Sequence, residues 1–356
     1  MRREQWIGGL LFLGLIALVA LGQWRIGVRR RSTPVAVLHR PRAVMGTTCS
    51  MAVVVFERDR AKAEEALQAA EIVLRRIEAR MSSWLDDSEI SALNTARPGV
   101  HVPLEAETLE VLRAASEAAA RTGGTFDVTC GPLVRLWQQA GLEGVLPRQA
   151  ALDRARAASN WSLFDLDAAG ATRHSQDACV DLGGITKGYA IDRAVEVLQA
   201  AAFSGGLVDV GGDLRCFGRD MTGKPWPVDL QNPFGRGRVA RLEVSDTAVT
   251  TSGNYARYAE IDGRRYSHII DPRTGRPAEA AASVTILAPE AMTADIWATA
   301  LGVLGLDGFA LLPEGVEALI VIGDEHNYRV YCTPGCRGLL VEPLPRQLSV
   351  WDSAGP

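Results

Sequence analysis

Apolar and polar positions follow two rhythms along this chain. Between residues 61 and 84 apolar side chains return every three or four positions, with Ala70, Val73, Leu74 and Ile77 on one face; that spacing predicts an amphipathic helix. A second helical pattern, "ETLEVLRAASEAAARTGG", stops at Gly123 and Gly124, the residue type that ends helices. Between them "LDDSEISALN" reads as a capped turn and a short helix, with Asp87 or Ser88 as the cap. Further helices are expected near 148–158, over "KGYAIDRAVEVLQAA" and over "TADIWATALGVLG". The second rhythm is strand-like, in β-branched runs bounded by glycine and proline. It covers "RAVMGTTCSMAVVVF", "SLFDLD", "ACVDLGG", "GGLVDVGGDLRCFG", "VARLEVSDTAVTTSG", "YAEIDGRRYSHIID", "AASVTILAP", "ALIVIGD" and "NYRVYCT". Asp262-Gly263 marks a hairpin turn. Hairpin-like stretches dominate the second half, which fits poorly with a parallel doubly wound sheet. The expected fold is α+β, with mixed and largely antiparallel sheets packed with helices, over residues 41–345. A tail of strand and coil follows at 346–356.

The N-terminus departs from both rhythms. From Trp6 to Trp24 nineteen residues pass without a charge, enough for a helix to cross a bilayer with a Trp near each interface. Residues 1–5 form its flank and residues 25–40, rich in arginine, read as a basic linker. A cleaved signal sequence is the rival reading, because Arg2 and Arg3 precede the apolar run; the length of that run favours a retained anchor. Arg25, Arg29, Arg30 and Arg31 follow the helix, so counting flanking charges puts the body in the cytoplasm.

Composition narrows the function classes. The chain has 356 residues, 47% hydrophobic and 22% charged, with a formal charge of -4. No basic block offers a groove for nucleic acid. Six cysteines, at 49, 130, 179, 216, 332 and 336, match no zinc spacing. Cys332 and Cys336 are close enough in sequence for a disulfide, and burial as small apolar side chains explains the rest.

Candidate chemistry gathers in four places. In "DACVDLGGITKGYAIDRA" a strand-like run ends at Asp181, two glycines follow, and a helix then carries Lys187. Such a turn brings backbone amides and a cation to phosphate oxygens, although a plain strand-to-helix turn needs the same glycines. In "GGLVDVGGDLRCFG" Gly211 and Gly212 permit close approach of a ligand, as a tight hairpin would also require, and Asp213 follows them. His268, followed by Asp271 and Arg273, gives a group that accepts a proton near neutral pH, or a structural histidine tied to a carboxylate. Asp295 and Thr299 sit four apart in an apolar helical run, hence on one face. Together with carbonyls from the loop at 183 and 184 they make an oxygen-only set that suits magnesium rather than zinc. The alternative is that Asp295 merely caps a helix starting after Thr293.

Read in order, these stretches resemble the ApbE family of FAD:protein FMN transferases. The likeness runs through "MGTTCSMAV", "RMSSWLDDSEISALN", "GGTFDVTCGPLVRLW", "VDLGGITKGYAIDRA", "TSGNYARYAEIDGRRYSHIIDPRTGRP" and "SVTILAPEAMTADIWATALGVLG", nearly all of residues 44–305. It implies a magnesium-dependent transfer of FMN from FAD, as substrate, to a threonine hydroxyl of an acceptor flavoprotein, with release of AMP. The acceptor is expected to be a subunit of a membrane redox complex. Met45, Trp84, Thr125, Phe126, Asp127, Asp181, Lys187 and Ile270 are then expected around FAD, with Gly184, Asp295 and Thr299 around the metal. His268 or Asp181 would take the acceptor's proton. Trp84 stands where many relatives have Tyr. Where relatives commonly have Asp-Leu-Ser-Gly-Ile-Ala-Lys-Gly, the chain has Gly183 for the serine and Thr186 for the alanine. The family pattern places the body in the periplasm, tethered to the inner membrane, against the charge count above. Two other functions compete: hydrolysis of the FAD diphosphate, and a tethered flavin-binding assembly factor without catalysis.

Overall fold

The computed structural model describes residues 33–253, 258–345 and 347–351. The expected flank at 1–5, the membrane helix at 6–24 and linker residues 25–32 lie outside the described residues. The described chain is an α+β body built on a nine-stranded sheet whose strands follow chain order. They are β1 (Pro34–His39), β2 (Cys49–Phe56), β3 (Gly205–Val210), β4 (Asp213–Gly218), β5 (Thr247–Gly253), β6 (Ser283–Ala288), β7 (Glu317–Gly323), β8 (Tyr328–Cys332) and β9 (Leu348–Val350). Neighbours are antiparallel except β8 and β9, which run parallel.

Helices α1 (Arg60–Met81), α3 (Thr186–Ala200) and α4 (Ala291–Leu304) pack beside one another, with α2 (Ala106–Arg121) completing the helical part of the core. The α1 stripe is Ala63, Leu67, Ala70, Leu74, Ile77 and Met81, all buried at spacings of three or four. Burying each Leu or Ile contributes about 1.5–3 kcal/mol, so this one face accounts for much of what holds α1 in place. The sheet is covered on both sides, and strand alternation divides the cores. On β6, Val284, Ile286 and Ala288 join the helical core while Leu287 faces the other way. On β7, Ala318 and Ile320 face the helices while Leu319 and Val321 meet the hairpin strands Trp226–Gln231 and Arg238–Val244. A period of two produces this split. The third cluster joins Trp137, Leu133 and Leu152 of helices Gly131–Glu143 and Gln149–Ala158 to Ile261 and Ile270.

Two expectations need correction. Residues 34–39 are not linker: β1 pairs with β2 from Pro34↔Phe56 to His39↔Met51. An edge strand tolerates proline at its first residue, and the neighbouring arginines disguise the apolar alternation. Nor does "ACVDLGG" form a strand. The Asn94 side chain takes the place of a sheet partner there, donating to Val180 O at 2.9 Å and accepting from Val180 N at 2.8 Å. Asp181 N–H donates to Val128 O at 2.7 Å. The backbone is therefore satisfied without a ladder.

Candidate active site

The site begins where α3 meets α4. The helices approach so closely that a Cβ on Gly188 would stand 2.3 Å from Ala291 O and 2.6 Å from Met292 Cα. Backbone cannot yield that distance, so only glycine fits. Across the contact Gly188 N–H donates to Asp295 Oδ2 at 3.1 Å. Asp295 is 3% exposed, and this is the one hydrogen bond to its carboxylate among the described residues. Burial pushes its carboxyl above the ordinary range, opposed by the charge of Lys187 and by the Gly188 N–H. The capping alternative fails, because α4 starts at Ala291 and leaves Asp295 beyond the first turn.

One turn further along α4 stands Thr299. A Cβ on Gly184 would lie 2.9 Å from Thr299 Oγ1 and 3.3 Å from Phe126 Cε2. The segment 184–188 therefore runs along α4, with Gly184 against Thr299 and Gly188 against Ala291, Met292 and Asp295. The Lys187 ammonium meets the carboxylate of Asp213, which is 2% exposed and also accepts from Thr251 N at 3.0 Å. Lys187 thus serves two buried acids, Asp213 by contact and Asp295 through its field. Sequence reasoning marked Asp213 only as the residue after a glycine pair and missed this partnership, which depends on a strand and a helix meeting.

Met45 occupies a turn against the same end of the sheet. Val44 and Thr47 exchange backbone hydrogen bonds at 3.1 Å, and Met45 and Gly46 have φ of 53° and 68°. Both central residues are left-handed, as a type I′ turn requires; for Met45 this is a strained conformation of the kind that gathers at functional sites. Gly211 N–H donates to Thr48 O at 2.8 Å, which sets Met45 beside the β3–β4 turn that leads into Asp213.

The segment after α2 supplies the opposite wall. Thr125 and Phe126 are 1% and 2% exposed, so both are packed, and Phe126 lies under Gly184. Asp127 accepts from Thr129 N at 2.8 Å, and burial raises its carboxyl against that bond. Asp181 accepts from Gly183 N at 2.9 Å; burial raises it too, opposed by that N–H and by Arg135. Ile270 is buried and pairs with Pro277. Arg273 holds Asp271 through bonds of 3.0 and 3.1 Å and reaches over Gly124. His268 is exposed between buried Ser267 and Ile269. Ile269 Cδ1 would stand 3.1 Å from a Cβ on Gly302, three residues past Thr299, so the His268 segment lies against the second half of α4. Trp84 stands apart from this packing, 75% exposed just past α1.

A second omission is Asp192, on α3. It lies four residues after Gly188, on the face turned to α4, and accepts from Ala291 N, Met292 N and Arg215. An acid one turn beyond a glycine on an otherwise apolar helix face was the available signal. The assembled donors are oxygens, and no group of three or more His, Cys, Asp or Glu suited to a metal occurs among the described residues. Such a set fits a hard cation that keeps some of its waters better than it fits zinc.

A family model described as the ApbE family matches residues 45–320. The FAD:protein FMN transferase of Treponema pallidum is 34% identical over 334 residues, spanning 88% of this chain and 91% of that protein. The protein of the same name from Salmonella typhimurium is 32% identical over 272 residues, 73% of this chain and 78% of the other. Among solved structures, the flavin transferase ApbE from Vibrio cholerae matches with a TM-score of 0.76 at 29% identity, covering 86% of this chain and 100% of that one. The ApbE protein from Thermotoga maritima gives 0.77 at 30% identity, with coverage of 86% and 100%. With the family model over most of the body and relatives above 30% identity along most of both lengths, this chain belongs to the ApbE family.

Proposed function

We propose that this chain is an FAD:protein FMN transferase that moves the FMN part of FAD onto a threonine hydroxyl of an acceptor flavoprotein and releases AMP. The observation that carries the reading is the packing of Gly184 against Thr299 and of Gly188 against Asp295 along one helix, α4, with the charge of Lys187 acting on Asp295. Asp295, Thr299 and the Gly184 carbonyl would hold magnesium. The ion supplies charge neutralisation on the FAD diphosphate and on the AMP that departs. Lys187, kept in place by buried Asp213, presents its ammonium to phosphate oxygens. Amides at the start of α3 face the same anion. Met45, Thr125, Phe126, Asp127, Asp181 and Ile270 complete the FAD site, with Phe126 acting from beneath Gly184. The exposed ring of Trp84, outside this packing, offers a stacking surface to the flavin.

The chemistry balances without a redox partner. A bond forms between the acceptor threonine oxygen and the FMN phosphorus, and the P–O bond to AMP breaks. The hydroxyl proton passes to His268 or Asp181. Exposure suits His268 to meeting a protein substrate, and imidazole is the side chain chemically suited to accepting a hydroxyl proton. The raised carboxyl of Asp181 makes it the alternative acceptor. The acceptor is a subunit of a membrane redox complex, and the N-terminal apolar segment tethers the body on the periplasmic face of the inner membrane.

Incubation of the full chain with FAD, magnesium and a threonine-bearing acceptor tests this. The acceptor gains the mass of FMN, one AMP appears per modified threonine, and chelation stops both. Release of FMN and AMP at one rate with or without acceptor would instead identify a hydrolase.

A further inference from the structure

Asp192 is 3% exposed and bonded at both oxygens. Oδ1 accepts from Ala291 N at 2.8 Å and from Arg215 Nη1 at 2.6 Å, while Oδ2 accepts from Met292 N at 2.8 Å. Ala291 and Met292 are the first two residues of α4, and the N-cap residue, Glu290, contributes no side-chain bond. A helix leaves its first N–H groups without intrahelical partners. Here a carboxylate on another helix satisfies two of them, and Arg215, two residues after Asp213 on β4, balances the buried charge.

The consequence concerns the geometry of α4. Asp192 joins α3 to residues 291 and 292, and Gly188 N–H joins it to Asp295. Two attachments one turn apart fix both the rotation and the slide of one helix on the other, where a single one would leave a pivot. The oxygens of Asp295 and Thr299 lie on the attached helix; Lys187 follows Gly184 on the segment that attaches it. Magnesium demands near-ideal octahedral geometry at about 2.0–2.1 Å, so a small turn of α4 would spoil the donor set.

We propose that Asp192 is a positioning residue for the cation seat: held by Arg215, its carboxylate pins the start of α4 to α3 and so sets Asp295 and Thr299 against Gly184 and Lys187. The role rests on the magnesium reading above. It is tested on the full chain with manganese as the probe, free ion being followed by electron paramagnetic resonance, alongside the magnesium dependence of FMN transfer. Asp192→Ala weakens manganese binding about 10–100-fold and raises the magnesium needed for half-maximal transfer by the same factor, while the rate recovers at saturating magnesium. Asp192→Asn keeps one carbonyl acceptor and falls between the variant and the unaltered protein. Gly188→Ala, which pushes α4 away through a different contact, shows the same shift. Manganese affinity unchanged in Asp192→Asn and Asp192→Ala but lost in Asp295→Ala overturns the positioning role, even if thermal stability has dropped. Affinity unchanged in all three overturns the cation reading along with it.

Discussion

Replacing Lys187 with methionine removes one cation and leaves Asp213 in place, 2% exposed, with Thr251 N–H as the remaining partner of its side chain among the described residues. Breaking a buried pair from one side costs about 3–5 kcal/mol. An independent ceiling follows from protonation. Neutralising an aspartate of ordinary pKa about 3.9 at pH 7 costs about 4 kcal/mol, because each unit is worth about 1.4. Lys187 is 32% exposed, so solvent already screens part of the attraction, and the expected loss falls to about 2–3 kcal/mol at pH 7. The ceiling shrinks with pH, to about 1.5 kcal/mol at pH 5. Urea denaturation of Lys187→Met at both values should therefore show a smaller deficit at pH 5. In the Lys187→Met, Asp213→Asn double variant the losses should be non-additive by at least about 1 kcal/mol. A deficit independent of pH, together with strict additivity, would refute the pairing and with it the account of how Lys187 is held.

Other perturbations reach the remaining parts of the site. Gly184→Ala places a methyl 2.9 Å from Thr299 Oγ1; magnesium-dependent transfer should fall at least about tenfold, as for a disturbed metal environment, with FAD binding by fluorescence retained. His268→Ala should lower kcat by about 10²–10⁴, the range for losing a general base, and leave KM for FAD unchanged; equal losses in both would make it a pocket organiser. The raised carboxyls of Asp127, Asp181, Asp192 and Asp295 mean that the folded protein binds protons more readily than the unfolded chain between ordinary and raised values. In that window these groups make metal-free stability rise as pH falls. The extra stability given by magnesium, which needs ionised Asp295, should shrink over the same window; melting with and without magnesium across pH checks both signs.

Legibility in the sequence depended on how local each feature was. The α1 stripe and the Asp262-Gly263 turn are properties of adjacent residues, and both appear where the pattern puts them. Ser88, one of two proposed caps, accepts from Ser91 N at 2.9 Å. The pairing of Asp295 with Thr299 was readable as a shared helix face. What faces them lies more than a hundred residues earlier: the carbonyls at 183 and 184 could be joined to them only by the chemistry of oxygen donors, and Gly188, whose N–H meets Asp295, carried no signal of that contact. Roles created by contact between elements left little trace. Asp213 gains its role from Lys187, and Asp192 from a helix start 99 residues on. The strand assigned to "ACVDLGG" failed because a side-chain amide, Asn94, meets the backbone that apolar spacing assigned to a sheet.

A crystal of the full chain grown with manganese and FAD, recorded with the ion's anomalous signal, addresses the convergence of oxygen donors most directly. One peak is expected, bonded at about 2.0–2.2 Å to Asp295, Thr299 Oγ1 and the Gly184 carbonyl, with water or diphosphate oxygens completing an octahedron. A peak held by other residues, with the Asp295 carboxylate turned away from it, would contradict the account.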